Sequence, residues 1–329
     1  MKHSVCIIDE LYRRAKVTFN SADKIKIMPV EQDEGLLAQA VKKHGAGAVV
    51  VGAEPYKNEL YSSLPQGGLI ARFGVGHDGI NKEKASHYGL IVTNTPDVLD
   101  DSVAEQAVWL MGTLARKIPQ YDSNMKNDKW ILVPGYELKR KKLLILGCGR
   151  IGCRVARIAA YGLQMQVFGY DSVSKDNEIL RKKWGIQKMK NSLTDALAEA
   201  DFVSVHLPAT KDTQNFVNQE FLSKMKPTSF LINTARGSIV DENALYDAVK
   251  SGQIAGAGLD VFQREPYAPL NPGKDLRRLP QVVLSPHIGS NTVEASHRMA
   301  VCVLDNIYAW LSGDYGRLNV VNAEVWQNL

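Results

Sequence analysis

The sequence predicts an α/β protein built from two parallel-sheet lobes, and three observations carry that reading. Short β-branched or apolar runs alternate with helix-length amphipathic stretches nearly from end to end, the pattern of strands joined by crossover helices. The runs fall into two series separated by one long apolar segment. The length, 329 residues, exceeds what one compact domain ordinarily holds.

The first series reads as strands at 4–9 (SVCIID), 25–28 (IKIM), 48–52, 69–73 and 90–94, with helical stretches at 34–43 and 81–87. The second reads as strands at 142–147 (KLLILG), 165–170, 202–208, 229–235, 256–262 and 281–286. In the joining segment, DDSVAEQAVWLMGTLARKI at 100–118, Ser102 stands three residues before Glu105, a capping-box spacing that would start a helix. Its apolar residues, Trp109 among them, surround the axis rather than form one stripe, so it needs partners on several sides. Burial between the lobes and a subunit interface would both supply them, and a homodimer is expected. A last helical pattern runs from about Thr292 to Leu311, after the second series is complete. That tail is expected to return to the first lobe. The expected domains are therefore residues 1–99 with 290–329, and an inserted lobe of 100–289.

Composition is that of a globular chain, 45% apolar and 23% charged. The net charge of +5 is spread along the chain, and KRKK (139–142) and RKK (181–183) sit beside apolar segments. A basic face interleaved with aromatics is missing, so nucleic acid is not an expected partner. Cys6, Cys148, Cys153 and Cys302 show neither a C-x-x-C pair nor zinc-like spacing, so no metal is expected and the thiols read as reduced, in a cytoplasmic setting. The opening MKHSVCIIDE lacks a signal-peptide core, and no apolar run approaches the length of a membrane span.

LLILGCGRIGCRVARIAA (143–160) places Gly147, Gly149 and Gly152 between a β-branched run and an apolar helix, the context that a dinucleotide-binding G-x-G-x-x-G requires. Gly147 would permit the tight turn, Gly149 the approach of a pyrophosphate, and Gly152 close packing of helix on strand. Arg150 and Ile151 open the helix, whose N-terminal amides would face the phosphates. Asp171 lies 19 residues beyond Gly152 at the end of the next strand, where a carboxylate accepts from both ribose hydroxyls and repels a 2′-phosphate. The expected cofactor is NAD. Cys148 and Cys153 read as small packing residues.

Several strands of the second series end on a polar group: His206, Arg236, Asp260 and His287. Arg236 follows the apolar run SFLI, and it either turns into water or faces an anion that comes and goes, such as a substrate carboxylate. A nicotinamide enzyme acting on an alcohol needs a base for the hydroxyl proton. A histidine beside a carboxylate suits that task, and an arginine can hold a substrate carboxylate with two bonds.

These segments resemble the D-isomer-specific 2-hydroxyacid dehydrogenases. NTARGSIVDENAL matches the segment with that family's catalytic arginine, here Arg236; GLDVFQREP the segment with its acidic partner, here Glu265; and LSPHIGS the segment with its general acid/base, here His287. The likeness also takes in RFGVGHDGI (72–80), VTNTPDVLDDSVAE (92–105) and HLPATKDTQNF (206–216), about three quarters of the chain. It implies two Rossmann-like parallel-sheet lobes, with the NAD-binding lobe inserted into a discontinuous, flavodoxin-like substrate lobe. It also implies that Arg236 faces the substrate carboxylate, that His287 protonates the carbonyl oxygen with Glu265 keeping it charged, and that the amides of Val75 and Gly76 grip the carboxylate from the other lobe. Asp260 would bond the nicotinamide carboxamide, while His206, Pro208 and Thr234 would lie along the cofactor. His77 reads as a turn residue and His297 as ordinary surface.

Two departures stand out. Gly79 replaces the family's usual asparagine, and Asp97 and Asp100 add negative charge that would disfavour a second acidic group on the substrate if either faced the pocket. The expected activity is NAD-dependent reduction of a small 2-oxo acid such as glyoxylate, hydroxypyruvate or pyruvate. The alternatives are a phosphoglycerate dehydrogenase-like enzyme and a non-enzymatic, NAD-sensing corepressor-like binding protein.

Overall fold

The structure is a computed structural model that describes residues 2–173 and 175–327. Its strands form two wholly parallel sheets. The first contains β1 (His3–Ile8), β2 (Ile25–Val30), β3 (Ala48–Val51), β4 (Leu69–Arg72) and β5 (Ile91–Thr93), in the order β2-β1-β3-β4-β5. The second contains β6 (Lys142–Leu146), β7 (Gln166–Tyr170), β8 (Ile186–Met189), β9 (Phe202–Val205), β10 (Phe230–Asn233), β11 (Gly256–Leu259) and β12 (Val282–Leu284). Its order, β12-β11-β10-β9-β6-β7-β8, is that of a doubly wound dinucleotide fold, with the reversal between β6 and β9.

The chain divides into two compact units, residues 1–99 with 290–329, and residues 100–289. In the first unit the helix Val293–Ser312 is capped by Thr292, whose side chain accepts from Ala295 N, and ends on Gly313 in the left-handed region. Trp310 near its end donates from Nε1 to Gly67 O at 2.7 Å. In the second unit, alternation along β6 sends Leu143 and Ile145 into one apolar cluster and Leu144 and Leu146 into another, so both faces of the sheet are covered.

Three sequence expectations need correction. The helix of the joining segment runs Asp100–Arg116, so it starts two residues before Ser102, with Asp100 and Asp101 in the first turn where their charge suits the helix dipole. On its inner side Ala104, Ala107, Met111 and Leu114 pack in the cluster with Leu143, Ile145 and Phe230, while Trp109 on the other side is 67% exposed. Finally, β8 was absent from the expected strands, because IQKM alternates too briefly at a sheet edge to signal a strand. The expected strand ends beyond residues 205, 233 and 259 belong to loops, and those loops carry the polar residues described next.

Candidate active site

Arg236, Glu265 and His287 all belong to the second unit, on loops leaving the carboxyl ends of the neighbouring strands β10, β11 and β12. Backbone contacts stitch these loops together. Asp260 N donates to Asn233 O at 2.9 Å, and Ser285 N to Leu259 O at 2.9 Å. A Cβ at Gly237 would stand 1.9 Å from the backbone carbon of Phe262, so the residue after Arg236 must lack one. Asn233 shapes the arginine loop from inside, accepting from Ala235 N at 3.0 Å and donating through Nδ2 to Arg236 O at 2.9 Å. Arg236 Nη1 donates to Ala235 O at 2.7 Å.

His287 Nδ1 lies 2.6 Å from Glu265 Oε2, and the two side chains are about one-third exposed, at 32% and 35%. The other glutamate oxygen accepts from Phe262 N at 2.9 Å, so the carboxylate is anchored before it meets the imidazole. His287 itself has φ of 53°, left-handed for a residue with a side chain. Its amide donates to Asp260 O at 2.7 Å. Asp260, 1% exposed, pins the rest of that turn: Oδ1 accepts from Ser285 Oγ at 2.6 Å and Ile288 N at 3.0 Å, and Oδ2 from Gly289 N at 2.8 Å. Burial raises its pKa, and those three bonds draw it partly back. The histidine thus occupies an unfavourable backbone conformation held by a buried carboxylate.

The glycine loop follows β6. Gly147 has φ of +91°, and a Cβ there would stand 2.7 Å from His206 O; a Cβ at Gly152 would stand 2.1 Å from Gly147 O. Gly149, by contrast, has nothing within 4 Å, which leaves room for a pyrophosphate over the helix Arg150–Arg157. Asp171 follows β7 and accepts from Cys148 N at 2.8 Å and Val173 N at 2.9 Å, with Lys175 Nζ 3.6 Å away. His206 pairs with Ser204 Oγ at 2.8 Å, and burial pushes its pKa down to about 3, so the ring is neutral. Pro208 O accepts from Thr213 Oγ1 at 2.6 Å. Thr234 Oγ1 is buried with no partner among the described residues. An open glycine, two glycines that tolerate no Cβ and an orphaned hydroxyl past a strand end fit a bound dinucleotide. Cys148 and Cys153 are buried packing residues, and burial pushes the Cys148 thiol up to about 12.

Asp100 does not stand free. It is 3% exposed and accepts from Arg150 Nε at 2.8 Å and from Arg154 Nη1 at 3.2 Å, so its charge is matched by the helix that follows the glycine loop. Nothing in the spacing of 100 and 150 announced this pair. Asp97 has φ of 75°.

In the first unit, the turn after β4 has its carbonyls turned inward. Arg72 donates to Phe73 O and, through Nε at 2.8 Å, to Gly76 O; Asn94 Nδ2 donates to Val75 O at 2.8 Å; and Thr95 N donates to Gly74 O at 3.0 Å. Gly79 also has its explanation: a Cβ there would stand 2.4 Å from Glu54 O and 2.5 Å from Ala53 O, so asparagine has no room. His297 is exposed and bonds Thr18 Oγ1 at 2.8 Å.

Residues 108–289 match the family described as D-isomer specific 2-hydroxyacid dehydrogenase, NAD binding domain. A glyoxylate reductase of Korarchaeum cryptofilum is 39% identical over 278 residues, 83% of this chain and 81% of that one. One from Thermococcus litoralis is 38% identical over 306 residues, 90% of this chain and 89% of that one. Among solved structures, the NADPH-dependent glyoxylate/hydroxypyruvate reductase of Sinorhizobium meliloti in complex with citrate aligns with a TM-score of 0.81 at 29% identity, covering 98% of this chain and 99% of that one.

Proposed function

The chain belongs to the D-isomer specific 2-hydroxyacid dehydrogenase family, and from that premise we propose that it is an NAD-dependent D-2-hydroxyacid dehydrogenase that reduces a small 2-oxo acid such as glyoxylate, hydroxypyruvate or pyruvate. At the coarser level it is an oxidoreductase acting on CH–OH donors with a nicotinamide dinucleotide cofactor.

The observation that carries the reading is the 2.6 Å pair of His287 Nδ1 and Glu265 Oε2, on the two loops next in order to that of Arg236. NADH, when bound, supplies the hydride that adds to C2 of the 2-oxo acid. His287 gives the proton of its Nε2 to the carbonyl oxygen, completing the hydroxyl, while Glu265 orients the ring through Nδ1. Arg236 holds the substrate carboxylate and polarises the adjacent carbonyl. In the first unit, the amides of Val75 and Gly76 are proposed for substrate binding.

For the cofactor, Gly147, Gly149, Arg150, Ile151 and Gly152 form the pyrophosphate cradle, and Asp171 takes the adenosine ribose. The carboxylate of Asp171 favours NAD over NADP, because a 2′-phosphate would meet a like charge. His206, Pro208, Thr234 and Asp260 line the nicotinamide half, where Asp260 has further lone pairs for the carboxamide beyond those that hold the histidine turn. The protein is proposed to work in the cytoplasm as a homodimer. Among the described residues no helix is long and apolar enough to cross a membrane.

A panel of 2-oxo acids assayed with NADH and with NADPH, followed by loss of nicotinamide absorbance, tests this reading. We expect turnover of at least one small 2-oxo acid and higher kcat/KM with NADH. Stoichiometric NADH binding with no turnover on any of them would leave a nucleotide-sensing binder instead.

A further inference from the structure

Asp260 is 1% exposed, and three donors meet its carboxylate. Two are the backbone amides of Ile288 and Gly289, set by the turn that holds His287. The third is a side chain, the hydroxyl of Ser285, 2.6 Å from Oδ1.

Ser285 has a partner of its own. Gln106, half-buried on the helix Asp100–Arg116, reaches Ser285 Oγ with Nε2 at 3.0 Å. A serine hydroxyl has one proton, and an ionised carboxylate can only accept. That proton therefore goes to Asp260, and Gln106 donates to the lone pair left on the serine oxygen. The three residues form a one-way chain of donors running from the helix to the buried carboxylate. The same helix closes the space around that carboxylate: a Cβ at Gly289 would stand 3.1 Å from Asp260 Oδ2 and 3.4 Å from Val103 Cγ2.

We propose that Ser285 and Gln106 are positioning residues that keep Asp260 ionised, and that through its charge they set the balance of affinity between the oxidised and the reduced cofactor. This rests on the placement of Asp260 along the nicotinamide half in the reading above, and it adds what the charge does there. The nicotinamide ring is positive in NAD⁺ and neutral in NADH. An ionised Asp260 attracts the first and gains little from the second, and burial leaves that attraction weakly screened. The same charge favours reduction of the substrate, because the ring becomes positive as the hydride departs.

Burial opposes this arrangement by raising the Asp260 pKa, while the bonds from Ser285, Ile288 and Gly289 and the charge of His287 lower it. The two amide bonds belong to the backbone and survive a change of side chain. The serine bond, with the glutamine behind it, is the one that a substitution removes. Without it, burial gains the upper hand and the carboxyl tends to keep its proton.

The test measures dissociation constants for NAD⁺ and for NADH by fluorescence titration on the wild-type protein, Ser285→Ala, Ser285→Thr and Gln106→Leu. Ser285→Ala is expected to raise the ratio of the NAD⁺ constant to the NADH constant by about 10-fold, the scale of one bond to a charged group, with NADH binding nearly unchanged. Gln106→Leu should move the ratio the same way by a smaller factor. Ser285→Thr, which keeps the hydroxyl, should hold the wild-type ratio. An unchanged ratio in a folded Ser285→Ala protein, or equal weakening of both cofactors, overturns the proposal, since the serine would then act only on the shape of the turn. A shift in Ser285→Thr as large as that in Ser285→Ala overturns it too. Should Ser285→Ala not fold, the ratio in Gln106→Leu decides: a rise supports the proposal and no change overturns it. A wild type that binds neither cofactor overturns the cofactor reading along with the proposal. One that binds both but reduces no 2-oxo acid loses the reductase reading alone, and the ratios still decide the roles of Ser285 and Gln106.

Discussion

His287 is placed by more than its own strand. Its left-handed backbone is held by Asp260, its ring by Glu265, and Glu265 by the amide of Phe262. Each support comes from the loop after β11, so the imidazole inherits the rigidity of two neighbouring strands. Replacing His287 with alanine removes the proton donor without touching the glycine loop. We expect kcat to fall by roughly 10²- to 10⁴-fold with the NADH dissociation constant nearly unchanged, read from steady-state kinetics and fluorescence titration. Arg236→Ala should raise KM for the 2-oxo acid as well as lower kcat. An unchanged KM would return Arg236 to the solvated turn that its sequence context also allowed. The imidazole, its glutamate and Arg236 were legible because their motifs are contiguous. The bonds from Asp260 to Ser285, Ile288 and Gly289 were not, since they join residues 25 to 29 positions apart.

At the scale of the element, the glycine loop shows how one motif does three different things. Gly152 sits against Gly147 O and Ile145 Cγ2, both in the unit's core, whereas Gly149 faces open space. Gly152→Ala should therefore lower the melting temperature, with a destabilisation of about 1–3 kcal/mol from overpacking, and weaken NADH binding as well. Gly149→Ala should leave the melting temperature nearly unchanged and weaken NADH binding alone, because its methyl group would occupy the space of the pyrophosphate. Thermal denaturation with and without NADH separates the two, and equal destabilisation by both substitutions would contradict the geometry. The long helix Asp100–Arg116 combines two kinds of partner. Its apolar pattern called for partners on several sides; its own sheet supplies them on one, and Asp100 and Asp101 bind Arg154 of the glycine-loop helix.

At the scale of the whole molecule, the second unit exposes Trp109 at 67%, Trp130 at 78% and Leu132 at 80%. Where such side chains form one contiguous patch, they mark an association surface. Sedimentation equilibrium is expected to give twice the chain mass of 36.4 kDa, and the double variant Trp109→Glu, Leu132→Glu to shift the protein toward monomer. A monomeric wild type at micromolar concentration would remove the homodimer from the proposal.

Local sequence was enough for the alternation of strands and helices, the glycine loop and the identity of the groups past each strand end. Those signals are local: periods of two and 3.6 residues decide which face of an element is apolar, and a loop's glycines are set by its own turn. Packing alone brought Asp100 to Arg150 and Asp260 to the turn that holds His287. Such meetings depend on the order in which parallel strands are laid side by side. That order is set by crossovers tens of residues long, which leave no periodic trace at the residues they bring together.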